Sequence, residues 1–119
     1  APLIQPEHLH PGLHITATGA AVPEKTEIAP ACLDAADLCV ADSAAQVALR
    51  SELRAARAAG LWSETDPTEL GAIVTGQIPE RRSADEITIA DLTGTGAQDT
   101  AIAAHALAAF PHAGQKITT

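Results

Sequence analysis

The sequence predicts an α/β domain with a mainly parallel sheet, and three observations support that prediction. Short apolar or β-branched runs alternate with segments of helical periodicity, as they do in parallel α/β layers. Residues 38–41 are almost wholly apolar, as expected of a strand that is covered on both faces. The 119 residues are enough for one domain at most.

Three strands are predicted, over residues 13–18, 38–41 and 87–90. The first and the third contain the β-branched residues that are typical of strands. Gly19 ends the first strand, and the loop after it lies at a carboxyl end, where open α/β sheets bind ligands. Three strands are few for a complete sheet, so we expect this chain to form one side of a larger sheet.

The predicted helices cover residues 30–36, 44–49, 52–59, 66–76 and 96–110. Ser43 and Gln46 match a capping box at the start of the second helix. Asp66 as a cap, followed by Pro67 at the first helical position, predicts the start of the fourth. The fifth helix is apolar nearly all the way round, which predicts burial on several sides or packing against another domain or subunit.

The charge balance excludes one class of partner. The formal net charge is -8, from 15 acidic and 7 basic residues, whereas nucleic-acid phosphates require a basic face. Aromatic residues make up only 2% of the chain, so platforms for stacking bases are not expected either. We therefore expect no nucleic-acid partner.

Location and metal binding are predicted from what the sequence lacks. No apolar run approaches the roughly 18 residues of a membrane span, and no signal-peptide pattern is present, so a cytoplasmic protein with no membrane partner is expected. Cys32 and Cys39 are then expected to be buried, reduced thiols. His8, His10 and His14 lie close together, but no Cys or carboxylate set completes a metal site, and none is predicted.

A glycine turn after the third strand resembles the start of a dinucleotide-binding loop. Such a loop needs a third small residue and an acid about 20 residues later. Here Asp99 occupies the third small position, and no Asp or Glu follows it. The turn is better explained as a helix start, because Thr95 and Gln98 match a capping box.

Two runs show a family resemblance: Gly76-Gln77-Ile78-Pro79-Glu80-Arg81-Arg82-Ser83-Ala84-Asp85-Glu86-Ile87-Thr88, and Asp91-Leu92-Thr93-Gly94-Thr95-Gly96-Ala97-Gln98-Asp99. Together they resemble the C-terminal signature of the ornithine cyclodeaminase/mu-crystallin family, most closely its ectoine utilization branch. The segments at 12–17, 25–28 and 36–42 resemble earlier family features in the same order. The resemblance covers the whole chain, but only about the final third of a family member.

The resemblance implies part of a Rossmann-like NAD(P)-binding domain, its C-terminal portion only. Residues 1–93 would be the C-terminal half of that domain. Residues 94–119 would form a helix and tail that return towards a substrate and dimerisation domain. The cofactor would be NAD(H), and the family's phosphate-binding loop is absent from this chain. The partners implied are a small amino-acid-like substrate and either a second copy in a dimer or a missing N-terminal segment.

The resemblance also assigns site residues. The cofactor-binding positions would be Thr18, Gly19, Ala20, Ala21, Lys25, Leu92 and Thr93. Ala21 stands where the family has its catalytic Asp, so no catalytic residue is intact, because a methyl group cannot accept a proton. Glu24 is the nearest carboxylate in the loop and would replace that Asp only if the loop shifted. Leu92 occupies a position where the family has a small hydroxyl, and the neighbouring Thr93 would supply it.

Three functions remain open from the sequence. The first is a fragment of an NAD-dependent cyclodeaminase-like amino-acid deaminase or dehydrogenase, of ectoine catabolism in that branch. The parent would be an enzyme, and this chain alone is expected to be inactive. The second is a non-catalytic, mu-crystallin-like protein that binds a cofactor or small ligand, which Ala21 favours. The third is a truncated interaction module that buries its apolar last helix in a dimer.

Overall fold

The computed structural model describes residues 1–18, 25–62 and 66–110. Its centre is a parallel sheet built from strands β1 (His14–Ala17), β2 (Leu38–Ala41), β3 (Thr68–Glu69) and β4 (Thr88–Asp91). The strand order is β1-β4-β2-β3, and each neighbouring pair is parallel. The predicted α/β class with a parallel sheet is confirmed.

Five α-helices follow or connect the strands. They are α1 (Pro30–Asp34), α2 (Ala44–Val47), α3 (Glu52–Ala58), α4 (Leu70–Val74) and α5 (Gly96–Ala109), with a 3-10 turn at Pro6–His8. Pro30 stands at the first helical position of α1, as predicted. Gly60 follows the end of α3 with a φ of 71°, the left-handed conformation that often ends a helix and that glycine adopts without strain.

The fourth strand corrects the prediction of about three strands. Thr68 and Glu69 were expected inside a helix capped by Asp66, but they pair with Val40 and Ala41 as strand β3. The helix begins only at Leu70. A backbone partner at the edge of β2 therefore overrides the local cap signal, since tertiary context outweighs propensity.

The predicted capping box at Ser43 and Gln46 is also wrong. Ser43 makes no side-chain cap hydrogen bond, and α2 has four residues, fewer than the predicted 44–49. The Glu69 Oε1 atom accepts the hydrogen bond from the Ala44 backbone N–H instead, at 2.9 Å. The Gln46 side chain lies against the Thr93 hydroxyl, so it is not available to the helix start.

The core fills one face of the sheet. Ile89 and Cys39 project from that face and pack with Leu33 of α1 and Leu53 of α3. All four side chains are buried, and the alternation along each strand places the neighbouring residues on the opposite face. Small apolar side chains complete this layer, as the alanine-rich sequence predicts.

Both cysteines are buried free thiols, which confirms that prediction. Cys39 contributes to the sheet side of the core, and burial raises the pKa of its thiol to about 12. Burial also raises the pKa of Cys32. In the ranges that the structure covers, no helix combines the length and the apolar character needed to cross a membrane.

Helix α5 has no buried residue against the described part of the chain. Ile102, Leu107 and Phe110 are each at least 66% exposed. Its start is as predicted, since Thr95 and Gln98 form a capping box, with Gln98 Oε1 accepting from the Thr95 backbone N–H. The packing of this helix on another domain or subunit stays a prediction.

Candidate cofactor-binding edge

The carboxyl ends of β1, β4 and β2 lie side by side at one edge of the sheet. Ala17 and Ala41 are both in register with Asp91, the last residue of the central strand β4. The residues that follow them therefore emerge at the same level. The backbone N–H of Leu92 donates to the Ala17 carbonyl oxygen at 2.9 Å, which extends the contact beyond the strands.

The structure brings together three of the predicted cofactor-binding residues. Thr18 follows β1 and is exposed, while Leu92 and Thr93 follow β4 and are partly exposed. Lys25 is also exposed and forms an ion pair with Glu27, with 2.8 Å between Nζ and Oε1. The predictions for Gly19, Ala20, Ala21 and Glu24 fall outside the described residues.

Asp42 organises the turn that carries Leu92 and Thr93. Its Oδ2 atom accepts hydrogen bonds from the backbone N–H groups of Thr93 (2.9 Å) and Gly94 (2.7 Å). Its Oδ1 atom accepts from the Ser43 backbone N–H at 2.9 Å. One carboxylate therefore holds the chain that leaves β4 against the chain that leaves β2.

The Thr93 hydroxyl points into this cluster. It lies 2.8 Å from Gln46 Oε1 and 3.1 Å from Asp42 Oδ1. A hydroxyl has one proton to donate, so Asp42 and Gln46 share it, and the oxygen lone pairs remain as acceptors. A cofactor group would therefore meet Thr93 best through a donor of its own.

Asp91 ties β4 to the start of α3. Its Oδ2 atom accepts from the Leu53 backbone N–H at 2.9 Å, and the Ser51 side chain and the Glu52 backbone N–H also favour its ionised form. Burial raises the pKa of Asp91 above its ordinary value of 3.8, because desolvation outweighs these bonds. Ser51 has φ of 134° and ψ of -176°, a region that only glycine adopts without strain.

Glu52 is a second fully buried carboxyl group at the same helix start. Its Oε1 atom accepts from the Glu27 backbone N–H at 2.7 Å. Its Oε2 atom has no hydrogen-bond partner among the described residues. Desolvation raises the pKa of Glu52 from 4.5, and the nearby charge of Asp91 adds to that rise.

Residues 1–18, 25–62 and 66–110 contain no cluster of three metal-ligating side chains. His14 is committed to hydroxyl groups, with Nδ1 2.7 Å from Thr88 Oγ1 and Nε2 3.1 Å from Thr16 Oγ1. His10 Nδ1 lies 3.0 Å from the carbonyl oxygen of Pro11. His10 and His14 therefore contact hydroxyl and carbonyl oxygens of the protein.

A cavity of about 450 Å³ lies on the sheet face opposite the core. His14, Thr88 and Arg81 form its polar side, and Leu38, Val40 and Ile73 contribute to its apolar side. Arg81 Nη2 donates to the Leu13 carbonyl and to Thr88 Oγ1, both at 3.2 Å. No local sequence pattern marks this cavity, because its residues come from four separate elements.

The sequence analysis also missed the roles of Asp42, Glu52 and Asp91. Asp91 had one usable signal, a charged residue directly after an apolar strand run. Glu52 had none, because its partner Glu27 lies 25 positions away in a partly buried segment. Asp42 was recognised only as the end of a strand.

The parallel sheet, with helices on its core face and polar turns at its carboxyl edge, defines part of a Rossmann-like nucleotide-binding domain. Residues 1–107 match the ornithine cyclodeaminase/mu-crystallin family. The chain belongs to that family.

Relatives and solved structures agree with this membership. A Rhizobium meliloti (strain 1021) protein called a "putative dehydrogenase" is 50% identical over 108 residues, covering 90% of this chain and 32% of the relative. A crystal structure of the Paracoccus denitrificans iminosuccinate reductase in complex with NAD+ gives a TM-score of 0.85 at 39% identity, covering 94% of this chain and 34% of that chain. An archaeal alanine dehydrogenase dimer with bound NAD also gives 0.85, at 32% identity, over 99% of this chain and 38% of that chain.

The chain therefore spans about a third of the length of the curated relatives that it matches. These relatives are named as dehydrogenases and reductases, and the two solved structures contain NAD.

Proposed function

We propose that this chain forms the part of an NAD-dependent oxidoreductase that contacts the nicotinamide end of the cofactor. The observation that supports the proposal is the juxtaposition of Thr18 with Leu92 and Thr93 at the carboxyl edge of a parallel sheet. Ligands of open α/β sheets bind at this edge. The NAD present in the two similar structures supports the same cofactor here.

The described residues fit one end of that cofactor. Leu92, Thr93 and Thr18 offer an uncharged and partly exposed surface, which suits a flat nicotinamide amide. The space beside Gly94 is open among the described residues, since none of their atoms lies within 4 Å of where a Cβ atom would project. Lys25 is the one basic side chain expected from the sequence to contact the cofactor, so residues outside this chain would hold the pyrophosphate.

The chemistry proposed is oxidation of a small amino acid. NAD+ supplies the hydride acceptor when bound, and the protein positions the substrate carbon that bears the α-amine against it. Hydride from that carbon would pass to NAD+, and a proton from its nitrogen would pass to solvent or a base, which leaves an imine that water or a second amine then attacks. An ectoine-derived amine or diamino acid is the substrate class proposed from the sequence resemblance, with a dimer as the assembly.

Ala21 supports a second candidate function, a non-catalytic protein that binds the cofactor or a small ligand. The family's general base is missing at this position, and an alanine cannot replace it. The exposed apolar surface of α5 also supports the third function, an interaction module. Docking through α5 is compatible with both candidates, so we treat it as an additional property and not as a separate function.

The two candidates are separated by NAD+ reduction measured with a panel of amino acids, using protein expressed from its complete reading frame. The wild-type protein is compared with Ala21→Asp, and NAD+ binding is measured for both by calorimetry. Turnover in the wild type supports the enzyme, and turnover only in Ala21→Asp indicates a lapsed enzyme. Cofactor binding without turnover in either supports the binding protein. If neither protein binds NAD+, the proposed function is wrong.

A further inference from the structure

Glu52 occupies an unusual position for a charged residue. It is the first residue of α3, and its relative exposure is 0%. A buried carboxyl group is costly unless it is fully hydrogen-bonded, yet its Oε2 atom has no partner in the described ranges. Packing of the core does not explain a carboxyl group at this position, since the neighbouring Leu53 contributes an apolar side chain to the same core.

Glu52 contacts the segment that follows the candidate cofactor loop. Its Oε1 atom accepts from the Glu27 backbone N–H at 2.7 Å, and the Ile28 backbone N–H also favours the ionised carboxylate. Lys25 lies two residues before Glu27 and is joined to its side chain by the 2.8 Å ion pair. The position of Lys25 therefore depends on where the Glu27 backbone is held.

The first turn of α3 also contacts the chain that leads into Leu92 and Thr93. Asp91 binds the backbone N–H of Leu53 and precedes Leu92 and Thr93 directly. Residues 51–53 thus connect the exit of β4 with the segment after the loop. The charged groups facing Glu52 are Asp91 from β4 and Glu27 from that segment, both acidic.

We propose that Glu52 is a positioning residue for the cofactor site, which holds the backbone of Glu27 and Ile28 so that Lys25 stands at the carboxyl edge opposite Leu92 and Thr93. This inference rests on the proposed function for its cofactor, but the contact itself does not. Glu52 touches neither cofactor nor substrate, and it acts through the backbone that carries Lys25.

The test compares three variants in protein from the complete reading frame. Glu52→Asp withdraws the carboxylate by one methylene group and removes the bond to Glu27. Glu52→Gln keeps an acceptor oxygen at the same reach. Leu53→Ala is the control, because it weakens the same helix in the core while leaving the Glu52 carboxylate in place.

NAD+ dissociation constants are measured by calorimetry at a temperature where each variant is folded. We expect Glu52→Asp to raise the dissociation constant about tenfold, as for loss of one buried hydrogen bond to a charged group. Glu52→Gln and Leu53→Ala should stay within about threefold of the wild type. Equal constants for Glu52→Asp and the wild type, or an equal rise in Leu53→Ala, would overturn the proposal.

Amide hydrogen exchange provides a readout that does not need the cofactor. The Glu27 and Ile28 amides should be protected from exchange in the wild type and in Glu52→Gln. In Glu52→Asp, these two amides should exchange faster than the amides of β4 in the same variant. If the wild type fails to bind NAD+, the proposed function is wrong while exchange still tests the contact. If Glu52→Asp does not fold, unprotected Glu27 and Ile28 amides in the wild type would contradict the inference, and protection that persists in Glu52→Gln would support it.

Discussion

Asp91 Oδ2 lies 2.9 Å from the backbone nitrogen of Leu53, so the last residue of β4 accepts a hydrogen bond from the first turn of α3. The acid caps a helix through Leu53, which lies 38 positions earlier in the chain. It supplies the acceptor that a local cap residue would normally provide. The geometry of the carboxyl edge and the start of α3 therefore depend on the same side chain.

We expect Asp91→Ala to lower the free energy of unfolding by about 3 kcal/mol, since it leaves several buried donors at the start of α3 without an acceptor. Urea unfolding followed by circular dichroism measures the change. Asp34→Ala is the control, because Asp34 is exposed at the end of α1, and it should change stability by less than about 0.5 kcal/mol. Equal losses in the two variants would contradict the capping role.

The strained backbone of Ser51 leads to a comparison of two variants that both lack its hydroxyl. Ser51→Gly should be more stable than Ser51→Ala by about 1 kcal/mol, because only glycine adopts a φ of 134° with this ψ without strain. Chemical denaturation of both variants under one set of conditions gives the difference. An alanine variant at least as stable as the glycine variant would show that the strain is absent in solution.

The buried acids predict a pH dependence with a definite sign. Since the pKa values of Glu52 and Asp91 are raised in the folded state, the folded protein binds more protons than the unfolded one above about pH 4.5. Their contribution to stability is thus present at low pH and is lost as pH rises through the folded-state pKa values. Glu52→Gln removes the contribution of Glu52 to this pH dependence of stability.

We therefore expect Glu52→Gln to gain stability relative to the wild type as the pH rises from about 4 to about 8. Unfolding in urea at several pH values, with the wild type measured in parallel, gives this difference. Glu86→Gln is a useful contrast, since hydrogen bonds and charge from Arg82 lower the pKa of Glu86 and reverse the expected trend. A difference for Glu52→Gln that does not change with pH would mean that Glu52 titrates normally.

Asp42 and Asp37 make similar contacts at opposite ends of the sheet, which allows a matched test. Asp42 accepts from Thr93 and Gly94 at the carboxyl edge, and Asp37 Oδ2 accepts from the Ile87 backbone N–H at 2.8 Å at the other edge. Each change to Ala should cost about 1–2 kcal/mol of stability.

Only Asp42→Ala should also weaken NAD+ binding, because only that variant releases the turn that carries Thr93. We expect its dissociation constant to rise about tenfold, while Asp37→Ala stays within about twofold. Titration calorimetry on both folded variants decides the point. A similar rise in both would mean that general loss of stability, and not position at the edge, controls binding.

Gly12 is predicted to tolerate no side chain. Its φ is +79°, and a Cβ atom there would lie 2.7 Å from the Ala84 carbonyl oxygen. Gly60 has a similar φ of +71°, but no atom of residues 1–18, 25–62 or 66–110 lies within 4 Å of the same position. Gly60→Ala should therefore cost about 1 kcal/mol for the backbone alone, and Gly12→Ala at least about 1 kcal/mol more. Thermal unfolding of both variants measures the two losses of stability. Equal losses would mean that a Cβ atom at position 12 does not clash with the Ala84 carbonyl oxygen.

Much of the fold was predictable because its signals are local. The apolar run of 38–41 coincides with β2, and the other two predicted strands agree with β1 and β4 to within one residue at every end. Strand β3 was missed because its two residues sit beside a strong helix-cap pattern. Their pairing depends on the edge of β2, about 28 residues earlier.

The site was less predictable than the fold. Thr18, Leu92 and Thr93 were proposed through resemblance to the family, and the sheet register puts them at the same edge, but their role stays a prediction. Asp42, Glu52 and Asp91 bind backbone N–H groups from distant segments, and a backbone donor has no signature in the sequence. Burial of an acid is a property of the assembled fold, so no local pattern distinguishes Glu52 from a solvated glutamate.

Helix α5 has 14 residues and buries none of them against the described chain. Isolated helices of this length are marginal in water, because nucleation costs more than a few turns of hydrogen bonds return. Apart from its capping box, α5 receives no packing from the described residues at Ile102, Leu107 and Phe110. We therefore expect the helical content of residues 96–109, measured by circular dichroism, to be low when this surface is exposed to water and to rise when another surface covers it.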